Sequence, residues 1–250
     1  MTPRASSKQA ASKKASIGRQ KRPAKAKIAS GSAGKHAAVT KAARRPDGDQ
    51  PYHHGDLHGA LLQAAARVAE TAGLNGLTLR AVAREAGVSH AAPAHHFGDV
   101  TGLLSELAAI GFKRFSAALD AAASLAVSES EAAKQRANAY VAFARDNPCM
   151  FQLMFRAERL DHQRPALQQS AEHAFTKLAG IVAERRHEAV EPDHLTLEQA
   201  ADIARIWSLV HGFAMLRLDG RIKPILDACP PNVTEEMLLA AMMKSERRGG

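Results

Sequence analysis

Residues 78–97 read TLRAVAREAGVSHAAPAHHF. Leu79, Val82, Ala83 and Ala86 recur at helical spacing, so one face of a short helix is apolar. Thr78 offers a hydroxyl suited to cap that helix, and Gly87 can take the positive φ that ends it. Ala83 is small where a second helix must come close, Val88 drops a plug into the core, and Ser89 is placed to cap the second helix. Its first-turn residues, His90, Ala91, Ala92 and Pro93, then face outward. Two short helices hinged in this way make a helix-turn-helix, whose second helix enters the major groove of DNA. Pro93 removes a backbone donor, so that helix is expected to be short or slightly distorted. A plain helical hairpin in an all-α core is the alternative reading.

The flanks extend the pattern. Tyr52-His53-His54-Gly55-Asp56-Leu57 leads into an amphipathic run, Leu61, Leu62, Ala65, Val68 and Ala69, which ends at Gly73; Leu74 and Leu77 close onto the next helix. After Phe97 a further helix starts near Thr101 and carries Leu103, Leu104, Leu107 and Ile110. Three short helices and a connecting fourth, with YHHGDL, LTLRAVAREAGVS and HHF, resemble over residues 52–115 the DNA-binding domain of the TetR family of transcriptional regulators. A weaker likeness lies at Trp207-Ser208-Leu209-Val210-His211-Gly212, which is similar to the Trp-His-Gly motif in the effector domain of one branch of that family.

The expected DNA-contacting set is Thr78, Arg80, Ser89, His90, Ala91, Ala92, Pro93, His95 and His96. Ser89, His90, Ala91, Ala92 and His95 are read toward the bases, where the small Ala91 and Ala92 suit thymine methyls; Thr78, Arg80 and His96 are read on phosphates. Two positions depart from the family pattern. Many members carry Tyr where this chain has Ala94 and Lys where it has Val100, and there both usually meet DNA phosphates, so the resemblance implies weaker binding here.

Charge is unevenly spread. Residues 1–50 hold 13 Lys and Arg against two Asp, a net of +11, which leaves −2 for the other 200 residues and accounts for the whole +9. This tail has no aromatic residue and only Ile17, Ile28 and Val39 as larger aliphatics, so it cannot bury a core and is expected to be disordered. It reads either as a basic arm that neutralises phosphates without reading bases or as a solvated extension that contributes little. It does not read as a secretory signal, since no apolar run of the needed length follows the charges, and no stretch of about eighteen apolar residues offers a membrane span. An organellar transit peptide would share the composition, but the regulator signature downstream reads as bacterial. Cys149 and Cys229 are the only cysteines, too few for a disulfide scaffold and without a CxxC; they read as buried, inert thiols, with a redox-sensing pair as the alternative.

Beyond the motif the pattern stays helical. Helices are expected over 101–124, 129–146, 148–157, 165–189, 196–218 and 234–246, with breaks at Asn147-Pro148, Arg164-Pro165, Glu191-Pro192, Asp219-Gly220 and Cys229-Pro230-Pro231 and caps at Ser128, Thr196 and Thr234. Phe115, Phe143, Phe151, Met154, Phe155, Phe175, Trp207 and His211 form the expected pocket for a mostly apolar small molecule, the use to which the resembled family puts this domain; the alternative is that they fill a helical core. Trp207 is read as largely buried, and His211 as either a satisfied core histidine or a ligand contact. Ala200, Ile203, Ala204, Trp207, Val210 and His211 on one helix and Leu238, Leu239, Met242 and Met243 on another give apolar faces. In the resembled family the two C-terminal helices pair with their mates in a dimer; alternatively they close their own domain.

No Walker loop, nucleophile elbow or dinucleotide fingerprint occurs, Glu70, Glu85 and Glu106 read as solvated helix positions, and adjacent histidines point to different faces. Neither an enzyme nor a metal site or cofactor is expected. The reading is an all-α chain in three parts: a disordered basic tail at 1–50, a three-helix helix-turn-helix DNA-binding domain at 51–114, and a helical ligand-binding and dimerisation domain at 115–246. The expected partners are double-stranded DNA, a second copy of the chain and an apolar effector, with no membrane, in the bacterial cytoplasm at the nucleoid. The function expected is a ligand-responsive, sequence-specific repressor acting as a homodimer on a pseudo-palindromic operator; the alternative is a constitutive, tail-driven nucleoid-type binder with a vestigial effector domain.

Overall fold

Asp56 opens the first helix. Its carboxylate accepts from the Gly59 backbone N–H at 2.8 Å, and α1 (Leu57–Gly76) runs on from there. The computed structural model describes residues 56–245, so the expected tail at 1–50 and the motif residues 52–55 lie outside the described residues. Gly73 breaks the regular helix at φ 67°, and Leu74 and Leu77 then turn inward, both buried. In α2 (Leu79–Glu85) the Thr78 hydroxyl accepts from the Ala81 N–H at 3.1 Å, and Gly87 takes φ 67° beyond it.

The second helix of the motif starts later than its sequence suggests. Ser89 does not cap it: α3 (Ala92–Phe97) follows Ala91 with no side-chain cap, and Ser89 contributes only its carbonyl, which accepts from Ala92 N–H at 3.1 Å. Pro93 is the reason. It has no N–H to give and its fixed φ suits a first turn, so the helix begins around it, and Gly98 at φ 80° ends it after six residues.

The remaining helices are α4 (Val100–Ala123), α5 (Glu129–Asp146), α6 (Pro148–Met154), α7 (Pro165–Arg186), α8 (Leu197–Leu218), α9 (Ile222–Asp227) and α10 (Glu235–Ser245), with one 3-10 turn at Ala157–Arg159. Ser128, Thr196 and Thr234 cap as expected, Thr196 in a reciprocal box with Gln199. The helix expected to 157 stops at Met154, and the one expected to 189 stops at Arg186 because His187 goes left-handed at φ 54°. Helix α9 falls where no helix is expected. Pro224 sits at its third helical position, where no intrahelical donor is lost, while Ile222 is buried.

Two hydrophobic clusters lie along α4. The first packs Leu61, Val68, Val82, Phe97, Leu103, Leu104 and Leu107 with Leu153, Leu160 and Leu167; the second packs Phe115, Tyr140, Phe143, Phe151, Met154, Val210, Phe213 and Leu239. Each such side chain contributes ~1.5–3 kcal/mol on burial. One helix therefore carries core residues of both, which ties the helix-turn-helix to the C-terminal helices. Cys149 and Cys229 are free and half-buried, not the fully buried thiols expected.

Candidate DNA interface and effector cavity

In α3 the inward face is set by Phe97, which is fully buried, and Pro93 lies one turn before it and is buried too. That corrects the expectation that Pro93 faces DNA. At 100° per residue, His95 then points opposite to Phe97, with Ala91 beside it and Ala94 on the flank between; all three are exposed. Thr78, Arg80, Ser89 and His90 are exposed as well, while Ala92 is half-buried. His96 departs from its expected place: it is half-buried, its ring 5.9 Å from that of His58 and next to Phe97. The structure thus leaves Arg80, Ser89, His90, Ala91 and His95 exposed and Pro93 in the core, and turns His96 toward α1.

The cavity lies between α4, α5, α7 and α8 and has a volume of about 930 Å³. Along α4 its lining recurs as Phe112, Phe115, Ser116, Leu119 and Asp120, one helical face. Of the residues expected in a pocket, Phe115, Met154, Phe155, Phe175 and Trp207 line it. Phe143, Phe151 and His211 do not. Phe143 and Phe151 are buried in the second core cluster, and His211 stands behind the wall, stacked on Phe151 at 5.5 Å and edge-on to Phe155 at 4.6 Å. Trp207 is 40% exposed, so it stands at the cavity's mouth and is not the largely buried indole expected.

The wall is mixed, with charged side chains such as Asp120, Lys134, Arg136, Lys177, Glu184 and Arg185 beside the aromatics. Ser116 is 3% exposed and its Oγ has no hydrogen-bond partner. An unpaired buried hydroxyl costs about 1–3 kcal/mol. The Tyr140 hydroxyl lies 2.9 Å from His211 Nδ1. Burial pushes the Tyr140 phenol far above its ordinary range, against a smaller effect of a Trp207 hydrogen bond, and desolvation holds His211 below its ordinary value. The phenol therefore stays protonated and shares a hydrogen bond with a neutral imidazole. At the rim Lys177 pairs with Asp120 at 2.7 Å and Arg136 with Glu184 at 3.3 Å.

Sequence reasoning missed one cluster. Glu106, read as solvated, is a half-buried carboxylate, 17% exposed at its side chain, held by Arg164 Nη1 at 2.7 Å and His58 Nε2 at 2.6 Å. Only the spacing of Glu106 on the inward side of α4 hints at this. Among the described residues no cluster of His, Cys, Asp or Glu could hold a metal ion, and no helix is long and apolar enough to cross a membrane.

A short helix-turn-helix joined through one long helix to an all-helical body with a cavity defines a class of DNA-binding regulators. Residues 61–107 match the family described as bacterial regulatory proteins, tetR family, and residues 134–241 match the tetracyclin repressor-like C-terminal domain. Among solved structures, a protein of unknown function from Rhodococcus sp. RHA1 is 32% identical, with a TM-score of 0.64 covering 80% of this chain and 98% of that one. A protein from Shewanella sp. PV-4 assigned to the tetR family of transcription regulators shares the fold at 20% identity and a TM-score of 0.51, covering 74% and 94% of the two chains. Another assigned to that family, from Rhodococcus sp., does so at 19% and 0.50, covering 74% and 95%. No curated protein matches the chain. The chain belongs to the TetR family: it is a DNA-binding transcriptional regulator with an all-α fold, and not an enzyme.

Proposed function

We propose that the protein is a ligand-responsive repressor that binds a pseudo-palindromic operator as a homodimer, its two α3 helices about one DNA turn (~34 Å) apart, and blocks transcription until an effector fills the cavity. The observation that carries the reading is the exposure of Arg80, Ser89, His90, Ala91 and His95 on either side of the Gly87 turn. Dimerisation is supported by α8. Ala201, Ala204 and Ser208 are exposed between the exposed Leu197 and Leu216, and a Cβ placed at Gly212 would meet nothing within 4 Å. A second helix can approach such a row closely, and in a two-fold pair the same row meets itself. On α10 Met237 and Met242 are exposed too.

The effector is mostly apolar. Trp207 at the mouth and His211 behind the wall support placement in the branch with the Trp-His-Gly motif. The work is done in the bacterial cytoplasm at the nucleoid, in a head spanning residues 51–114 and a body spanning 115–246. Residues 1–50 add sequence-independent affinity through their charge. The net +11 of that tail also favours a second reading, a constitutive tail-driven binder.

Selection of bound duplexes from a random DNA pool, with the full chain and with residues 1–50 removed, separates the two. The repressor reading expects both proteins to enrich one two-fold-symmetric motif; enrichment of no sequence overturns it.

A further inference from the structure

Arg164 stands between the cavity and the end of the recognition helix. It precedes Pro165, which restricts it to extended backbone, here φ −68° and ψ 123°, so its side chain leaves α7 at a fixed start. The guanidinium forks. Nη1 donates to Glu106 Oε1 at 2.7 Å and Nη2 donates to the Phe97 carbonyl. Phe97 is the last residue of α3, and its carbonyl is one of those a helix leaves without an internal partner. Gly102 makes room for this: a Cβ there would collide with both the guanidinium and the Phe97 carbonyl. The other Glu106 oxygen meets His58 of α1, so one carboxylate fastens Arg164 to two helices of the head.

The chain just before Arg164 is fixed at both of its ends. Met154, Phe155, Ala157 and His162 line the cavity. Three bonds and burials pin it to the head: Asp161 N–H donates to Ser105 Oγ at 2.8 Å, Arg159 donates to the Leu74 carbonyl, and Leu160 is buried in the first core cluster.

We propose that Arg164 is the positioning residue through which the cavity and the recognition helix sense each other. Displacement of segment 154–162 by a ligand withdraws the guanidinium and releases the last turn of α3; seating α3 on DNA, in turn, holds the segment and with it the cavity wall. The coupling is reciprocal because it is a difference in binding free energy. The inference rests on the reading of the protein as an operator-binding regulator with an effector cavity.

The single tryptophan, Trp207, lies on the cavity and reports its state without any ligand. The full chain is titrated with a duplex selected from the random pool and, separately, with a random-sequence duplex, while Trp207 emission is recorded. The selected duplex should shift the emission maximum and the random one should not. Arg164→Lys keeps the charge but cannot fork to both acceptors, and Glu106→Gln keeps the shape but not the ion pair. Each should bind the selected duplex about tenfold more weakly, given that hydrogen bonds to charged groups are the strong ones. At saturation each should leave Trp207 emission unmoved, with thermal unfolding near that of the parent. If only one variant folds, that one decides. A normal emission shift in a folded variant, or none in the parent on a bound duplex, overturns the proposal. Failure to select any duplex removes the regulator reading instead, and this one with it.

Discussion

The Tyr140 hydroxyl and Nδ1 of His211 lie 2.9 Å apart, joining α5 to α8 directly behind the cavity wall. Desolvation holds His211 below its ordinary value of 6.5, so the unfolded chain takes up the proton more readily than the folded one. The contribution of this group to stability is therefore complete above that value and is lost as the pH falls below it. Protonated, Nδ1 can no longer accept from Tyr140. His211→Gln, which can still accept, should lose less melting temperature than the parent between about pH 7.5 and about pH 5.5. Equal losses in calorimetry would remove His211 from the account.

Phe151 and Trp207 are both large aromatics of the second half, but Phe151 is fully buried and Trp207 is 40% exposed. Phe151→Ala should cost ~3–5 kcal/mol, as expected for a core aromatic whose site cannot collapse. Trp207→Ala should cost less than half as much, while changing how the cavity binds. Chemical denaturation of both variants checks the order, and a Trp207 variant as damaged as the Phe151 variant would contradict the exposed placement.

That contrast marks the limit of what sequence spacing reveals. Thr78, Ser128, Thr196 and Thr234 cap, and Gly73 and Gly87 turn, through interactions within a few residues, so the chain states them locally. Phe143, Phe151 and Phe155 carry the same composition signal, and only the packing of α4, α5 and α8 decides that Phe155 meets the cavity while the other two fill the core. Pro93 faces inward because Phe97, one turn on, anchors the same side. Arg164 and Glu106 stand 58 residues apart, and no period links them.

Ser208 lies in the small-residue row of α8 between Ala204 and Gly212. An Arg there would appear twice in a two-fold interface, placing two like charges and two long side chains where helices approach. Ser208→Arg should give a folded monomer by light scattering and lose binding to the two-fold motif. An unchanged dimer would move the interface elsewhere.

Removing residues 1–50 takes away 13 basic side chains and no base-reading group of the motif. Sequence preference should survive, affinity should fall, and the plot of log affinity against log salt should flatten by about 0.9 for each phosphate that the tail neutralises in the full chain. Binding isotherms across salt concentrations measure it; an unchanged slope would make the tail a bystander.

Ala94 is exposed on α3 and Val100 is 37% exposed at the start of α4, so both places are open to larger side chains. Ala94→Tyr with Val100→Lys should tighten binding to the selected motif, because each adds a donor where phosphate can be reached. The Lys should steepen the salt plot by about 0.9 per subunit if it meets one phosphate, whereas the neutral Tyr hydroxyl should leave the slope alone. A Lys in the first turn of α4 opposes the helix dipole and should cost the fold ~0.3–1 kcal/mol, so thermal stability should drop slightly as affinity rises. The single variants, measured beside the pair, separate the two effects. A folded, dimeric double variant that binds more weakly would mean that α3, starting at Pro93, presents position 94 away from the DNA backbone.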